Sequence, residues 1–340
     1  MQTVLLTGAS GYIAKHIAVQ LLNAGYAVRA SLRKLDRAEE MRAAIDPHVT
    51  ESLDDRLSFV ALDLEKDDGW AAALAGVDVL MHTASPFPLA QPKDPQDLIR
   101  PAVDGALRAL KAAKNAGVTR VILTSSSAAI AGGPLRPGKT EFDEADWTDP
   151  HAPGTSAYTQ SKTLAERAAW DFVRDQAPQM QLTTINPVFV VGPPLDMHFG
   201  TSVSVIERLL NARDPMLPNF GFAMVDVRDV ALAHVLALTT PGTAGKRYIA
   251  SDRFMWFTEI AQILKASFPT RKIITRRAPD FVVRILALFD KAIATIVPLL
   301  GKREEVSGAR AQAELGITYR DVRASVVETA QFLIDHKLLN

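Results

Sequence analysis

Thr3–Thr7 is a short apolar run that passes without a spacer into Thr7-Gly8-Ala9-Ser10-Gly11-Tyr12-Ile13-Ala14, where a helical pattern opens. A strand that ends on glycines at the mouth of a helix constrains the fold more than any other feature of the chain. Glycine at 8 permits a tight turn, glycine at 11 lets the backbone approach a pyrophosphate, and the small Ala14 lets the helix sit close to the strand. Free N–H groups and the positive end of the helix dipole then face the phosphates. The strand before and the helix after separate this pattern from a chance glycine pair. It predicts dinucleotide contacts from Thr7, Gly8, Ser10, Gly11, Tyr12 and Ile13.

Beyond this turn, apolar β-branched runs alternate with longer helical patterns. Ala27–Ser31, Leu57–Ala61, Val77–His82, Arg120–Ser125 and Leu182–Asn186 read as strands. Tyr12–Ala24, Arg37–Ile45, Trp70–Ala75, Asp97–Ala116 and Ser156–Gln176 read as helices, with Leu98, Val103, Leu107, Leu110 and Ala113 as the apolar stripe of the fourth. Strands apolar on both faces and separated by helices indicate an α/β fold, a doubly wound parallel sheet of Rossmann type. Pro134–Pro153, rich in Pro, Gly and acids, reads as a long surface loop.

Past Gly192-Pro193-Pro194 the rhythm changes to helices, with one strand at Arg247–Ala250. The expected division is a dinucleotide-binding domain at 1–190 and a smaller, mainly helical substrate lobe at 191–340, with residues near 222–250 returning to the first.

Composition removes several function classes. Lys plus Arg and Asp plus Glu both number 38, so the net charge is zero, which argues against nucleic acid as a partner. The absence of cysteine excludes disulfides and thiolate chemistry, and the seven histidines show no metal-ligand spacing, so no metal is expected. Phe281–Leu300 is the most apolar late stretch, but Arg284, Asp290, Lys291 and Pro298 interrupt it, so it reads as an amphipathic helix and not a membrane span. No membrane partner is expected. The opening residues read as a strand and not as a signal segment, which leaves a cytoplasmic location as the expectation.

Chemistry gathers at the strand ends. Where the second strand meets an adenosine ribose, an NAD enzyme tends to place an acid. Here the residues are Arg33 and Lys34, with Arg37 shortly after. Cations there suit a 2′-phosphate, so NADPH (NADP+) is the expected cofactor. The bland alternative is a solvated basic helix start capped by Asp36. Asp63 and Leu64 are placed to touch the adenine, and Thr83, Ala84 and Ser85 the nicotinamide side.

Tyr158 and Lys162 lie one helical turn apart on one face. An ammonium beside a phenol favours the phenolate and lowers its pKa. The run Ser125-Ser126-Ser127 ends the preceding strand, opposite that helix start. Hydride transfer to a carbonyl needs a proton donor, a group polarising the oxygen and a group fixing the ribose. A tyrosine, a serine and a lysine supply these.

In these segments the chain resembles an extended short-chain dehydrogenase/reductase, most of all the dihydroflavonol 4-reductase-like group. The likeness runs from Thr7–Ala14 through Val28–Arg33, His82–Pro86, Arg120–Ser126, Tyr158–Glu166, Asn186-Pro187 with Val191–Pro193, to Val225–Ala231. It implies reversible NADPH-dependent reduction of an aldehyde or ketone, with Ser126, Tyr158 and Lys162 as the catalytic set. It also implies cofactor contacts from Gly8, Gly11, Arg33, Thr124, Tyr158 and Lys162, and from the backbone of Pro187, Val188 and Val190. In plant flavonoid reductases a polar residue shortly after the serine grips the substrate. Here the stretch is Ala131-Gly-Gly-Pro-Leu-Arg136, so a small aliphatic or aryl carbonyl compound is the expected substrate class. Phe87, Pro88, Val188, Pro194, Met197, Phe199 and Phe222 are expected to line its pocket beside Ser126 and Tyr158. A monomer or homodimer is expected. Rival readings are an NAD-retaining nucleotide-sugar epimerase or dehydratase, a 3β-hydroxysteroid dehydrogenase-like enzyme, and a non-catalytic NADP(H)-sensing regulator.

Overall fold

Strand and helix alternate through the first half of the chain as β1 (Thr3–Thr7), α1 (Tyr12–Asn23), β2 (Ala27–Leu32), α2 (Ala38–Ile45), β3 (Leu57–Ala61), α3 (Trp70–Leu74), β4 (Val79–His82), α4 (Gln96–Asn115), β5 (Arg120–Thr124), α5 (Ala157–Gln176) and β6 (Gln181–Pro187). The structure, a computed structural model, describes residues 1–85, 94–289 and 291–339. The second half carries β7 (Phe189–Val191), α6 (Thr201–Leu210), β8 (Gly221–Asp226), α7 (Val227–Thr239), β9 (Lys246–Ala250), β10 (Arg253–Trp256), α8 (Phe257–Ser267), α9 (Asp280–Leu286), α10 (Lys291–Ile296), α11 (Ala309–Leu315) and α12 (Val322–Asp335).

Seven strands form one parallel sheet in the order β3-β2-β1-β4-β5-β6-β9. The period-two alternation of a strand separates its two faces. Val4 and Leu6 pack in a cluster with Ile17 and Leu21 of α1 and Val230 of α7. Leu5 packs in another with Trp70 of α3, Leu110 of α4 and Phe172 of α5. Strand order reverses between β1 and β4, the switch point at which open α/β sheets receive ligands.

Three sequence expectations change here. The buried stripe of α4 runs through Leu98, Ala102, Ala106, Ala109 and Ala113, while Val103 and Leu107 turn partly outward. The helix is wedged beside α5, where small side chains permit the close approach. The single helix expected over Phe281–Leu300 is broken into α9, α10 and a turn at Val297–Leu299. Pro298 stops the second piece, but no Gly or Pro announces the break after Leu286. The 134–153 segment is not a free surface loop, because Arg247 donates to the Glu144 carbonyl at 2.9 Å and to the Asp146 carbonyl at 2.7 Å from within the protein.

A second sheet, β10-β8-β7, was not apparent in the sequence pattern. β7 has three residues and β10 runs directly into α8, so neither shows a bounded alternation. Among the described residues no helix is long and apolar enough to cross a membrane.

Candidate active site

The turn after β1 is held from two sides. Gly8 takes a φ of +64°, and a Cβ there would stand 2.8 Å from the Ala84 Cα, so only glycine fits between the ends of β1 and β4. Gly8 N donates to Ser31 Oγ at 3.3 Å, and Ala9 N donates to the Ser31 carbonyl at 3.1 Å. Thr83 N and Ala84 N both donate to Thr7 Oγ1 at 3.2 Å. The Thr7 hydroxyl proton is then free for His82 Nδ1, 2.8 Å away, and burial pushes His82 down to about 4, which keeps the ring neutral. Thr7 therefore fixes the glycine turn and does not line the cleft beyond it.

That cleft, about 520 Å³, is lined by eleven of the predicted residues: Gly8, Ser10, Gly11, Arg33, Lys34, Arg37, Asp63, Leu64, Thr83, Ala84 and Ser85. Ser31, Leu32, Asp36, Leu62 and Glu65 also line it and were not singled out from the sequence as contacts, although each lies near the end of β2 or β3. The volume suits a cofactor-sized ligand. A turn that admits no Cβ at Gly8, opening on a helix N-terminus, fits a pyrophosphate.

Arg33 and Lys34 are exposed at the rim. Arg37 differs, since its guanidinium makes two bonds to Glu40, at 3.0 and 3.1 Å. Asp36 does not cap the following helix; the residue before α2 is Arg37.

Some predicted contacts are directed elsewhere. Tyr12 donates its hydroxyl to the Gly192 carbonyl at 2.7 Å, and His16 Nε2 donates to the Pro193 carbonyl at 3.1 Å, so α1 clamps the chain where it leaves β7. Burial pushes the Tyr12 phenol well up. Neither Tyr12 nor Ile13 lines the cleft. The Thr124 hydroxyl meets His234 Nε2 at 2.7 Å, which commits its side chain to α7.

Ser126 follows β5 and caps a short turn, its Oγ accepting from Ala128 N at 3.2 Å. Ser156 caps α5 by accepting from Thr159 N at 3.1 Å, which sets Tyr158 in the first turn. Tyr158 OH donates to Ser126 Oγ at 3.4 Å. Lys162 Nζ lies 5.7 Å from the Tyr158 ring centroid and donates to Ser85 Oγ at 2.9 Å. Ser85 thereby joins the lysine to the cleft beside the glycine turn. The serine run is resolved by its partners: Ser125 donates to buried Glu166, Ser126 faces the phenol, and Ser127 opens the turn.

The electrostatics reverse one expectation. Burial raises the Tyr158 phenol above its ordinary value, opposed by the hydrogen bond with Ser126. Burial also pushes Lys162 down to about 8. Desolvation disfavours the charged form of each group, the phenolate of one and the ammonium of the other. The phenol is thus held protonated near neutral pH, the state a proton donor needs.

Pro187 ends β6 beside Ala250, and Val188 N donates to the Ala250 carbonyl at 3.2 Å. Val188, Val190 and Pro194 are buried. The Phe222 ring stacks on Phe189 at 4.3 Å, with Phe220 edge-on at 5.0 Å, while Phe199 packs on the main core and Met197 is exposed. His198 Nδ1 stands 2.6 Å from Glu40 Oε1, which directs it to α2. Phe87 and Pro88 lie outside the described residues.

Residues 4–250 match the model of the NAD dependent epimerase/dehydratase family. Cinnamoyl-CoA reductase CAD2 of Medicago truncatula is 34% identical over 345 residues, covering 99% of this chain and 97% of its own. NADPH-dependent methylglyoxal reductase GRE2 of Saccharomyces cerevisiae is 31% identical, covering 79% of this chain and 84% of its own. The crystal structure of yeast methylglyoxal/isovaleraldehyde reductase Gre2 complexed with NADPH superposes with a TM-score of 0.80 at 28% identity, covering 99% of each chain.

Proposed function

The chain belongs to the NAD dependent epimerase/dehydratase family, in the extended short-chain dehydrogenase/reductase group that is dihydroflavonol 4-reductase-like, and from that premise we propose how its site performs carbonyl reduction. It is an NADPH-dependent oxidoreductase that reduces an aldehyde or ketone to the alcohol. The observation carrying the assignment of roles is the 3.4 Å contact of Tyr158 OH with Ser126 Oγ, with Lys162 linked through Ser85 to the glycine cleft.

Gly8, Ser10 and Gly11 would hold the pyrophosphate, Arg33 and Lys34 the 2′-phosphate, and Lys162 the nicotinamide ribose. When bound, NADPH supplies the hydride that the carbonyl carbon receives. The chain's own groups do the rest. Ser126 Oγ donates a hydrogen bond to the carbonyl oxygen and orients it. Tyr158 gives its phenolic proton to that oxygen as charge develops. The Lys162 ammonium stabilises the phenolate left behind. In the reverse direction the same phenolate takes the alcohol proton. No step requires a metal.

The apolar and glycine residues at 131–135, where plant flavonoid reductases place a polar residue, support a small aliphatic or aryl substrate. We propose a cytoplasmic location and a monomeric or homodimeric state. The test is NADPH consumption across aldehydes, diketones and aryl ketones, repeated with NADH and with Tyr158→Phe. The expected outcome is NADPH-preferring turnover that Tyr158→Phe lowers about 10²–10⁴-fold while NADPH still binds. Unchanged turnover in Tyr158→Phe would remove the proposed proton path.

A further inference from the structure

Nine large apolar side chains are exposed among the described residues, and five of them fall within nine positions: Phe281, Ile285, Leu286, Leu288 and Phe289. Single exposed apolar residues are ordinary on a soluble surface, but a cluster marks contact with something. Phe281, Leu288 and Phe289 are 65%, 79% and 86% exposed. Helical period places Phe281, Arg284 and Ile285 on one side of α9 and Val283 on the other, and Leu288 and Phe289 follow in the turn that ends it. Val283 is the anchor, buried with Ala278 and Leu300 in a small cluster apart from the main core.

The segment is tied to the lobe beneath it at both ends. Leu217 N donates to the Arg276 carbonyl at 2.8 Å, Ala278 N to the Leu217 carbonyl at 2.7 Å, and Gly301 N to the Asn219 carbonyl at 2.7 Å. The outer face of α9 is therefore held outward by a fixed frame.

Charge identifies what that face meets. The whole chain is neutral, yet residues 271–303 hold eight Lys or Arg against two Asp. Lys272, Arg276, Arg277, Arg284, Lys302 and Arg303 are exposed. Arg277 approaches Asp280 at 3.5 Å and Arg303 pairs with Glu305, which leaves a positive surplus around the apolar face. A second copy of the chain docking through this face would set collar against collar, and like charges oppose that contact. A sheet of anionic headgroups over an apolar interior complements both features.

We propose that the α9 face docks peripherally on an anionic lipid bilayer, with Phe281, Ile285, Leu288 and Phe289 entering the headgroup boundary and the Lys/Arg collar resting on the headgroups. The charges in this segment that argue against a membrane span are those that a surface-bound helix uses. Attachment is reversible, because the wedge is short.

The experiment is cosedimentation of the full-length protein with vesicles of phosphatidylcholine alone, or with about 30% phosphatidylserine, at about 0.1 M and about 0.5 M salt. The expected result is binding to the phosphatidylserine vesicles that weakens at least about tenfold on neutral vesicles and at the higher salt. Ile285→Glu/Leu288→Glu is expected to abolish it while NADPH binding and thermal unfolding stay as in the parent, since both side chains are exposed. Arg276→Ala/Arg277→Ala is expected to weaken it and flatten the salt dependence. Absence of binding to anionic vesicles, or binding unaltered by Ile285→Glu/Leu288→Glu, overturns the proposal. A dimer by light scattering that the same double variant converts to monomer also overturns it and assigns the face to a second copy.

Discussion

Arg247 Nε donates to Glu166 Oε1 at 2.6 Å, with the two side chains 8% and 0% exposed. Glu166 stands one turn beyond Lys162 on α5 and also accepts from Ser125 Oγ and from Asn186 Nδ2. Asn186 in turn donates to the Ser126 carbonyl at 3.2 Å. The guanidinium lies 3.8 Å from the centre of the Trp147 ring. The pair thus joins α5, β6, β9 and the 134–153 segment beneath the Ser126–Tyr158 contact.

Because both charges are buried, removing one partner leaves the other uncompensated. Arg247→Met is expected to lower the unfolding free energy by about 3–5 kcal/mol. Glu166→Gln/Arg247→Met keeps an acceptor for Ser125 or Asn186 without a lone charge, and is expected to recover at least half of that loss. Urea unfolding of the three proteins measures both. A loss below about 1 kcal/mol for Arg247→Met would mean that the pair contributes no more than an exposed one.

The pH profile of reduction follows from Lys162 and Tyr158. Burial pushes Lys162 down to about 8, whereas Tyr158 is raised and stays protonated through that range. Reduction needs the ammonium to stabilise the phenolate, so kcat/KM is expected to fall about tenfold per pH unit above about 8. Lys162→Arg holds its charge and should move the fall to higher pH at lower overall activity. Stability has the opposite sign. The unfolded chain keeps the Lys162 proton until its ordinary 10.5, so this group's contribution to stability rises between about 8 and 10.5. Steady-state rates between pH 6 and 10 decide the first point.

Cofactor choice separates Arg33 from Arg37. Arg33 is exposed at the rim of the cleft, while both arms of the Arg37 guanidinium are engaged by Glu40. Charge-assisted hydrogen bonds contribute about 1.5–3 kcal/mol, or about ten- to a hundredfold in affinity. Arg33→Ala is expected to weaken NADPH binding by that factor and leave NADH binding unchanged, with a smaller effect from Arg37→Ala. Fluorescence titration of both cofactors reads the difference. Equal weakening of NADH would place Arg33 at some other part of the ligand.

Much of this was legible before any coordinates. The glycine turn, the strand alternation and the Tyr158–Lys162 spacing are local patterns, and local sequence determines them. Other features depend on contacts with distant parts of the chain. Whether Tyr12 lines a cleft depends on the Gly192 carbonyl, 180 residues away, and whether Thr124 does depends on His234, 110 residues away. Nothing in the run Ser125-Ser126-Ser127 separates its members until Glu166 takes the first and Tyr158 the second. Arg247 looked like an ordinary strand residue, because its partner Glu166 is 81 positions distant. The four-residue spacing places a charge near Tyr158, but the direction of its pKa is set by desolvation, which spacing does not report.

Three buried imidazoles set the response to acid. His16, His82 and His234 are each pushed by burial down to about 4. Each ring is neutral in the folded protein and hydrogen-bonded in that form, His234 through Val230 and Thr124, for example. The unfolded chain takes up protons as pH falls through 6.5, while the folded chain does not until about 4. The stability they contribute is therefore complete above about 6.5 and is lost between 6.5 and 4, on the order of 3 kcal/mol for each residue. All three act in the same direction, so acid unfolding is expected to set in between pH 6 and 4. His234→Gln retains an acceptor for Thr124 and does not titrate, so its acid midpoint should lie at lower pH than that of the parent. Circular dichroism followed against pH measures the shift, and an unchanged midpoint would assign the acid transition to carboxylates such as Asp226, whose pKa is lowered by Arg228 against the cost of its burial.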